Sequence, residues 1–172
     1  MRFKGECFRA HDPNWAWSPP SGAGAALKGR RFNWPGLETL YLSLSFNTVF
    51  REVSGGFAHR LTPYVLCSYD VDCEDVADLR TDVGRAALGV ELSDLACAWG
   101  NALIAGREPE SWGVVRGLLA DGYAGVLAPS FANGATADDQ NLVLWRWGPD
   151  LPHKVMAYDP TGKLPKNKLS WA

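Results

Sequence analysis

The chain has 172 residues, 47% hydrophobic and 21% charged, with a formal net charge of −2. That length and composition predict a single soluble domain over residues 1–172, large enough to bury a core without disulfides or a structural metal. The charge excludes the basic face of a direct nucleic-acid binder. No run is long enough to span a membrane, and the opening MRFKGECFRAHDP lacks the apolar stretch of a signal peptide.

Residues 5–10 (GECFRA) predict a first strand carrying Arg9. Residues 11–29, rich in Pro, Gly and Ser, have no sustained period and predict a loop, in which Trp15 and Trp17 serve as anchors or cover a site. In residues 39–44 (TLYLSL), Leu40, Leu42 and Leu44 alternate with Tyr41 and Ser43, as a strand with one buried face requires. Ser45 caps a predicted helix to about Val53, with Phe46, Val49, Phe50 and Val53 as its apolar stripe. Glu52 falls at the edge of that stripe, where a carboxylate can be half buried, although most lone helix carboxylates lie at the surface, and Gly55-Gly56 ends the helix.

A longer strand follows at 62–71, then an ambiguous segment at 73–90 with a strand end and a short helical piece. Ser93 caps a helix to about Ala105, and Pro109 opens another that Gly122 stops, with Trp112, Val115 and Leu119 on one face. Strands are predicted at 123–129, 141–147 and 154–160; the tail beyond about 160 has no clear pattern. Short strands mixed with helices, without regular alternation, predict an α+β fold.

There is no GxGxxG opening a helix, no P-loop and no GxSxG. Cys7, Cys67, Cys73 and Cys97 form no CxxC pair, and His11, His59 and His153 have no ligand spacing. The cysteines are read as free thiols in a reducing cytoplasm, and no metal site is predicted. Lys163, Lys166 and Lys168 are read as solvated tail charge.

The polar candidates concentrate between Gly29 and Glu52. Arg9, Arg30 and Arg31 could fork onto phosphate oxygens or simply face solvent. Asn33 could orient a neighbour or stabilise a turn. Tyr41 could offer a stacking face or sit at a rim, and Ser43 shares its side of the strand. Ser130 lies at the end of an apolar strand, where functional side chains collect. From the residues alone the reading stops at an α+β domain with one polar cluster.

Six motifs in order resemble the RES-domain family, the toxin halves of RES–Xre toxin–antitoxin pairs. Phe8-Arg9-Ala10 is similar to the family's aromatic-Arg-Ala opening. GRRFN at 29–33 is similar to its GGRWN, which puts the family arginine at Arg31, two before Asn33. Arg30 stands where the family has its second glycine, so the arginine that enters the site is open by one position; Phe32 stands for its Trp. LYLS at 40–43 resembles its tyrosine strand, Glu52 its helix glutamate, LAPS at 127–130 its L-x-P-S, and NLVLW at 141–145 its N-x-x-L strand. The resemblance covers about residues 5–147.

The resemblance implies an ADP-ribosyltransferase-like core of short, mainly antiparallel strands with flanking helices. It implies a toxin that consumes NAD as substrate by breaking the nicotinamide–ribose bond, passing ADP-ribose to a protein, phosphate or water without a metal. Glu52 would stabilise charge on the ribose, Tyr41 would stack on the nicotinamide or ribose, and Arg31 with Arg9 would hold the diphosphate. Ser130 would bond the ribose or its phosphate, with Asn33 and Ser43 beside them. The implied partners are an Xre-type helix-turn-helix antitoxin, which would carry the DNA contact, and a second copy of the chain as a homodimer. A competing expectation is an inert RES-like domain that only binds its partner.

Overall fold

Why the strands extend and the helices break is visible in the computed structural model, which describes residues 1–54 and 63–171. The elements are β1 (Phe3–His11), a 3-10 turn (Pro13–Trp15), α1 (Ala23–Ala26), β2 (Leu40–Ser43), α2 (Phe46–Ser54), β3 (Val65–Cys73) and β4 (Val76–Asp78). They continue with α3 (Asp82–Ala87), α4 (Leu92–Leu95), α5 (Trp99–Ile104), α6 (Glu110–Ala120), β5 (Gly125–Pro129), β6 (Gln140–Leu144), β7 (His153–Ala157) and a 3-10 turn (Lys168–Trp171). The α+β expectation holds. The strands form a sheet of order β4-β5-β6-β2-β1-β3-β7, in which β4–β5 is the parallel pair and the other pairings are antiparallel.

That sheet is two halves joined at a point. β1 pairs with β3 from Phe3↔Cys73 to His11↔Val65, and β2 pairs with β6 from Leu40↔Leu144 to Ser43↔Asn141. β1 and β2 meet only at Phe8↔Ser43. Beyond that bridge the halves splay apart, and the gap is where a cleft forms.

Period-two alternation then sorts the side chains. Cys7, Leu40, Leu42, Cys67, Tyr69, Val71 and Leu142 fill one core. On the opposite face of the β2–β6–β5–β4 half, Phe32, Leu79, Leu95, Val115, Leu118, Val126 and Trp145 pack with the helices. Cys7 and Cys73 are buried free thiols, which burial pushes up to about 12, so both are unreactive core residues.

Several expected elements change. β1 extends to Phe3 and His11, and the loop at 11–29 holds two short turns. Ser45 does cap α2, accepting from the Thr48 N–H at 3.1 Å. The stripe of α2 is different, however: Thr48 and Val49 are buried, while Phe46 and Phe50 are exposed. Thr48 turns inward because its hydroxyl has a buried carboxylate to meet. Glu52 is correspondingly exposed rather than half buried.

The predicted helix from Ser93 to about Ala105 is two pieces, α4 and α5. Its cap is Glu91, in a reciprocal capping box with Asp94. The break has a partner: carbonyls at Leu95 and Cys97 accept from the Arg31 guanidinium at 2.5 and 2.8 Å. On α6, Leu118 rather than Leu119 joins Trp112 and Val115 in the interior. The strand expected at 62–71 is β3, and those at 123–129, 141–147 and 154–160 are the shorter β5, β6 and β7. The helix end at Gly55-Gly56, the strand start at Thr62 and His59 lie outside the described residues.

Candidate functional site

The loop Gly29–Asn33 is fixed by donors from three directions. The Trp112 indole N–H donates to the Arg30 carbonyl at 2.8 Å and that of Trp145 to the Phe32 carbonyl at 2.9 Å. The Ser111 hydroxyl donates to the Arg31 carbonyl. Gly29 has φ of +73°, and a Cβ there would stand 3.0 Å from Pro35, so glycine is required at that turn. The Trp147 indole N–H also donates to the Pro20 carbonyl at 2.8 Å. The abundant tryptophans therefore work as amphipathic clamps, apolar in body and donating at the edge.

Asn33 is fully buried and ties this loop to β2. Its amide N–H2 donates to the carbonyls of Ala25, Trp34 and Leu37 at 3.0, 3.1 and 3.3 Å. Its oxygen accepts from the Tyr41 hydroxyl at 2.9 Å, and that hydroxyl accepts from the Phe32 N–H at 3.0 Å. Burial pushes the Tyr41 phenol up, so it stays protonated as this donor–acceptor pair requires. Asn33→Ala is expected to lower unfolding free energy by about 1–3 kcal/mol, the cost of leaving such buried groups unmet. Chemical denaturation with unchanged slope would measure it.

A cleft of about 470 Å³ opens at the splay of β1 and β2, lined by Arg9, His11, Arg30, Tyr41, Ser43, Glu52 and Asn141, together with Trp15 and Tyr64. That volume is in the range of small-molecule sites. Glu52 reaches it from α2. Its Oε1 accepts from the Ser130 hydroxyl at 2.7 Å and from the Asn141 amide at 2.6 Å. Asn141 is aimed by Ser43, whose hydroxyl donates to the Asn141 Oδ1 at 2.8 Å. This fixes the amide orientation, since a carboxylate accepts only. Among the described residues Oε2 of Glu52 has no hydrogen-bond donor, while Oε1 is held by two.

The two loop arginines part company. The Arg31 guanidinium is bound to the α4–α5 carbonyls, lies 4.5 Å from the Phe131 ring centroid and is not among the cleft-lining residues. Arg30 is exposed, lines the cleft and stands 5.9 Å from the Tyr41 ring centroid. Arg9 lines it too, but its Nη1 donates to the carbonyls of Pro19 and Ser21 at 3.0 and 2.8 Å, holding the preceding loop. Ser130 meets Glu52 without lining the cleft. Glu52, Ser130, Ser43, Tyr41, Arg9 and Asn33 are thus brought to one place, and Arg31 behind it. Asn141 was visible in the sequence only as the first letter of N-x-x-L, with nothing to mark it as a partner of Glu52.

His11 is 5% exposed, and neither ring nitrogen has a hydrogen-bond partner among the described residues. Burial, with Arg9 next, pushes its imidazole down to about 4, so it is neutral when folded. Between the ordinary value near 6.5 and about 4 the unfolded chain binds more protons, so stability falls as pH drops through that window. The loss is expected to be on the order of 2 kcal/mol once solvent screening is allowed for. Thermal melts of wild type and His11→Phe across pH 7 to 4 should show the wild type losing the more.

The seven-stranded split sheet flanked by helices is an α+β fold of the ADP-ribosyltransferase-like kind. The RES domain matches residues 6–167, and the chain belongs to the RES-domain family. Among solved structures it is similar to the crystal structure of the M. tuberculosis MbcT–MbcA toxin–antitoxin complex. That similarity has 23% identity and a TM-score of 0.58, over 92% of this chain and 84% of that one. No curated protein matches.

Proposed function

We propose that this chain is the toxin of a toxin–antitoxin pair and that it cleaves the nicotinamide–ribose bond of NAD, transferring ADP-ribose to an acceptor. The observation that carries the reading is Glu52, which lines the cleft and is held at Oε1 by Ser130 and Asn141. In this chemistry the C–N bond breaks and its electron pair leaves with neutral nicotinamide. Positive charge develops on the ribose, and a preoriented carboxylate stabilises it while bonding a ribose hydroxyl. The acceptor oxygen or nitrogen then bonds the anomeric carbon and gives up its proton. Tyr41 supplies a ring face, and Arg30 or Arg31, with Arg9, the positive charge for the diphosphate.

The acceptor is a protein side chain in this reading, with phosphate or water as the alternatives. Incubation with labelled NAD, with and without phosphate and cell extract, separates them. A labelled protein band means transfer, ADP-ribose 1″-phosphate a phosphorylase, and free ADP-ribose a glycohydrolase. Intact NAD in every arm would favour an inert, partner-binding domain. The partner in this reading is an Xre-type helix-turn-helix antitoxin that masks the cleft, with the toxin a cytoplasmic homodimer. The toxin–antitoxin complex of the structural neighbour supports a protein partner. No helix among the described residues is long and apolar enough to cross a membrane.

A further inference from the structure

Glu52 and its two donors come from three separate segments: α2, the end of β5 and the start of β6. Pairing of β5 with β6, from Gly125↔Leu144 to Pro129↔Gln140, keeps Ser130 beside Asn141, but it does not fix the helix that carries Glu52 against them. The loop between Ser130 and Gln140 ends at Asp139, a carboxylate only 4% exposed. Its backbone carbonyl accepts from the Ser130 N–H at 2.7 Å. Its Oδ2 accepts from the Thr136 N–H and hydroxyl at 2.8 and 3.0 Å. Its Oδ1 accepts from the Thr48 hydroxyl at 2.9 Å.

Thr48 is fully buried and sits one helical turn before Glu52, on the same side of α2. Asp139 accepts only, so the single Thr48 proton goes to it, and the Ser45 hydroxyl must donate to Thr48 across their 2.8 Å contact. Arg51 closes the ring from the rim. Its Nε lies 3.3 Å from Oδ2, an ion pair too oblique to be a hydrogen bond, and its Nη1 donates to the Gly134 carbonyl at 2.7 Å. One buried residue therefore links the segments: its carboxylate bonds Thr48 on the helix that carries Glu52 and Thr136 in the loop, its backbone carbonyl bonds the Ser130 N–H, and Asn141 follows two residues on. Hydrogen bonds and the Arg51 charge also hold the carboxyl of Asp139 below the usual carboxylate range.

We propose that Asp139 is a positioning residue: through Thr48, Thr136 and the Ser130 backbone it straps the 130–139 loop to α2 and sets the two hydrogen bonds that orient Glu52. Its effect on turnover rests on the NAD reading above; its effect on the loop does not. The test uses the full chain with two conservative changes, Asp139→Asn and Thr48→Val, read by amide hydrogen exchange and by NAD kinetics. Exchange at the Thr136 amide should rise about tenfold or more in Asp139→Asn, while amides of β5 and β6 keep their protection. In the same variant kcat should fall about tenfold or more with KM changed less than about threefold; Thr48→Val should fall in the same direction. Placed on Ser130→Ala, Asp139→Asn should add less than about a twofold further loss, because both act through the same carboxylate.

Unchanged exchange together with unchanged kcat would overturn the strap. A loss that multiplies in the Ser130→Ala background would overturn the positioning role and leave general destabilisation. If wild type leaves NAD intact, the functional reading fails, and the exchange result alone decides whether the strap exists. Should Asp139→Asn fail to fold, Thr48→Val carries both measurements.

Discussion

Glu52→Gln is expected to lower NAD consumption by about 10²–10³-fold, the scale on which removing one electrostatic contact to a developing charge acts. The substitution is nearly isosteric. A glutamine side-chain oxygen can still accept from the Ser130 hydroxyl and the Asn141 amide, which now meet Oε1 at 2.7 and 2.6 Å. What changes is the other atom: a neutral amide takes the place of a carboxylate oxygen and cannot stabilise positive charge on the ribose. Glu52 is exposed, so the melting temperature should move by only a degree or two. Folded protein with nicotinamide release unchanged would sink the mechanism. Release that falls together with a collapsed melting transition would show a structural role instead.

The same carboxylate marks how far the sequence could be read. Alternation in LYLSL placed the leucines of β2 inward, because a strand with one face in a core leaves few other patterns. The helix carrying Glu52 was also legible, down to its Ser45 cap. Which side of that helix faced in was not. Apolar spacing selected Phe46 and Phe50, yet they are exposed and Thr48 is buried, because a hydroxyl bonded to Asp139 is a better interior group there than periodicity alone can register. The break between α4 and α5 escaped for a related reason. It is stabilised by a guanidinium 64 residues earlier, a long-range partner that no local propensity encodes. The motifs GRRFN, LAPS and NLVLW point to residues that the fold brings beside or behind Glu52, while the bonds that make Asn141 and Ser43 part of the Glu52 arrangement appear only when the strands are paired.

Arg30 and Arg31 should fail in opposite ways when truncated. Arg30 is the exposed arginine of the cleft and stands beside Tyr41. Arg30→Ala is therefore expected to raise KM for NAD about 30–100-fold, the cost of one charge-assisted contact to a phosphate, with little change in melting temperature. Arg31 commits its Nη1 to the carbonyls of Leu95 and Cys97, and burial holds its guanidinium below its ordinary pKa. Arg31→Ala would leave those two carbonyls unmet and remove the contact with Phe131, which predicts a stability loss of about 1–3 kcal/mol. Its influence on KM should be secondary, through the loop that Trp112, Ser111 and Trp145 also hold. Lysine replacements sharpen the contrast. Arg30→Lys keeps a positive charge in the cleft and should restore part of the affinity. Arg31→Lys loses the planar guanidinium that lies over the Phe131 ring and should remain less stable than wild type. The reverse pattern, KM raised by Arg31→Ala and stability lost by Arg30→Ala, would return the phosphate role to the position that the family motif marks.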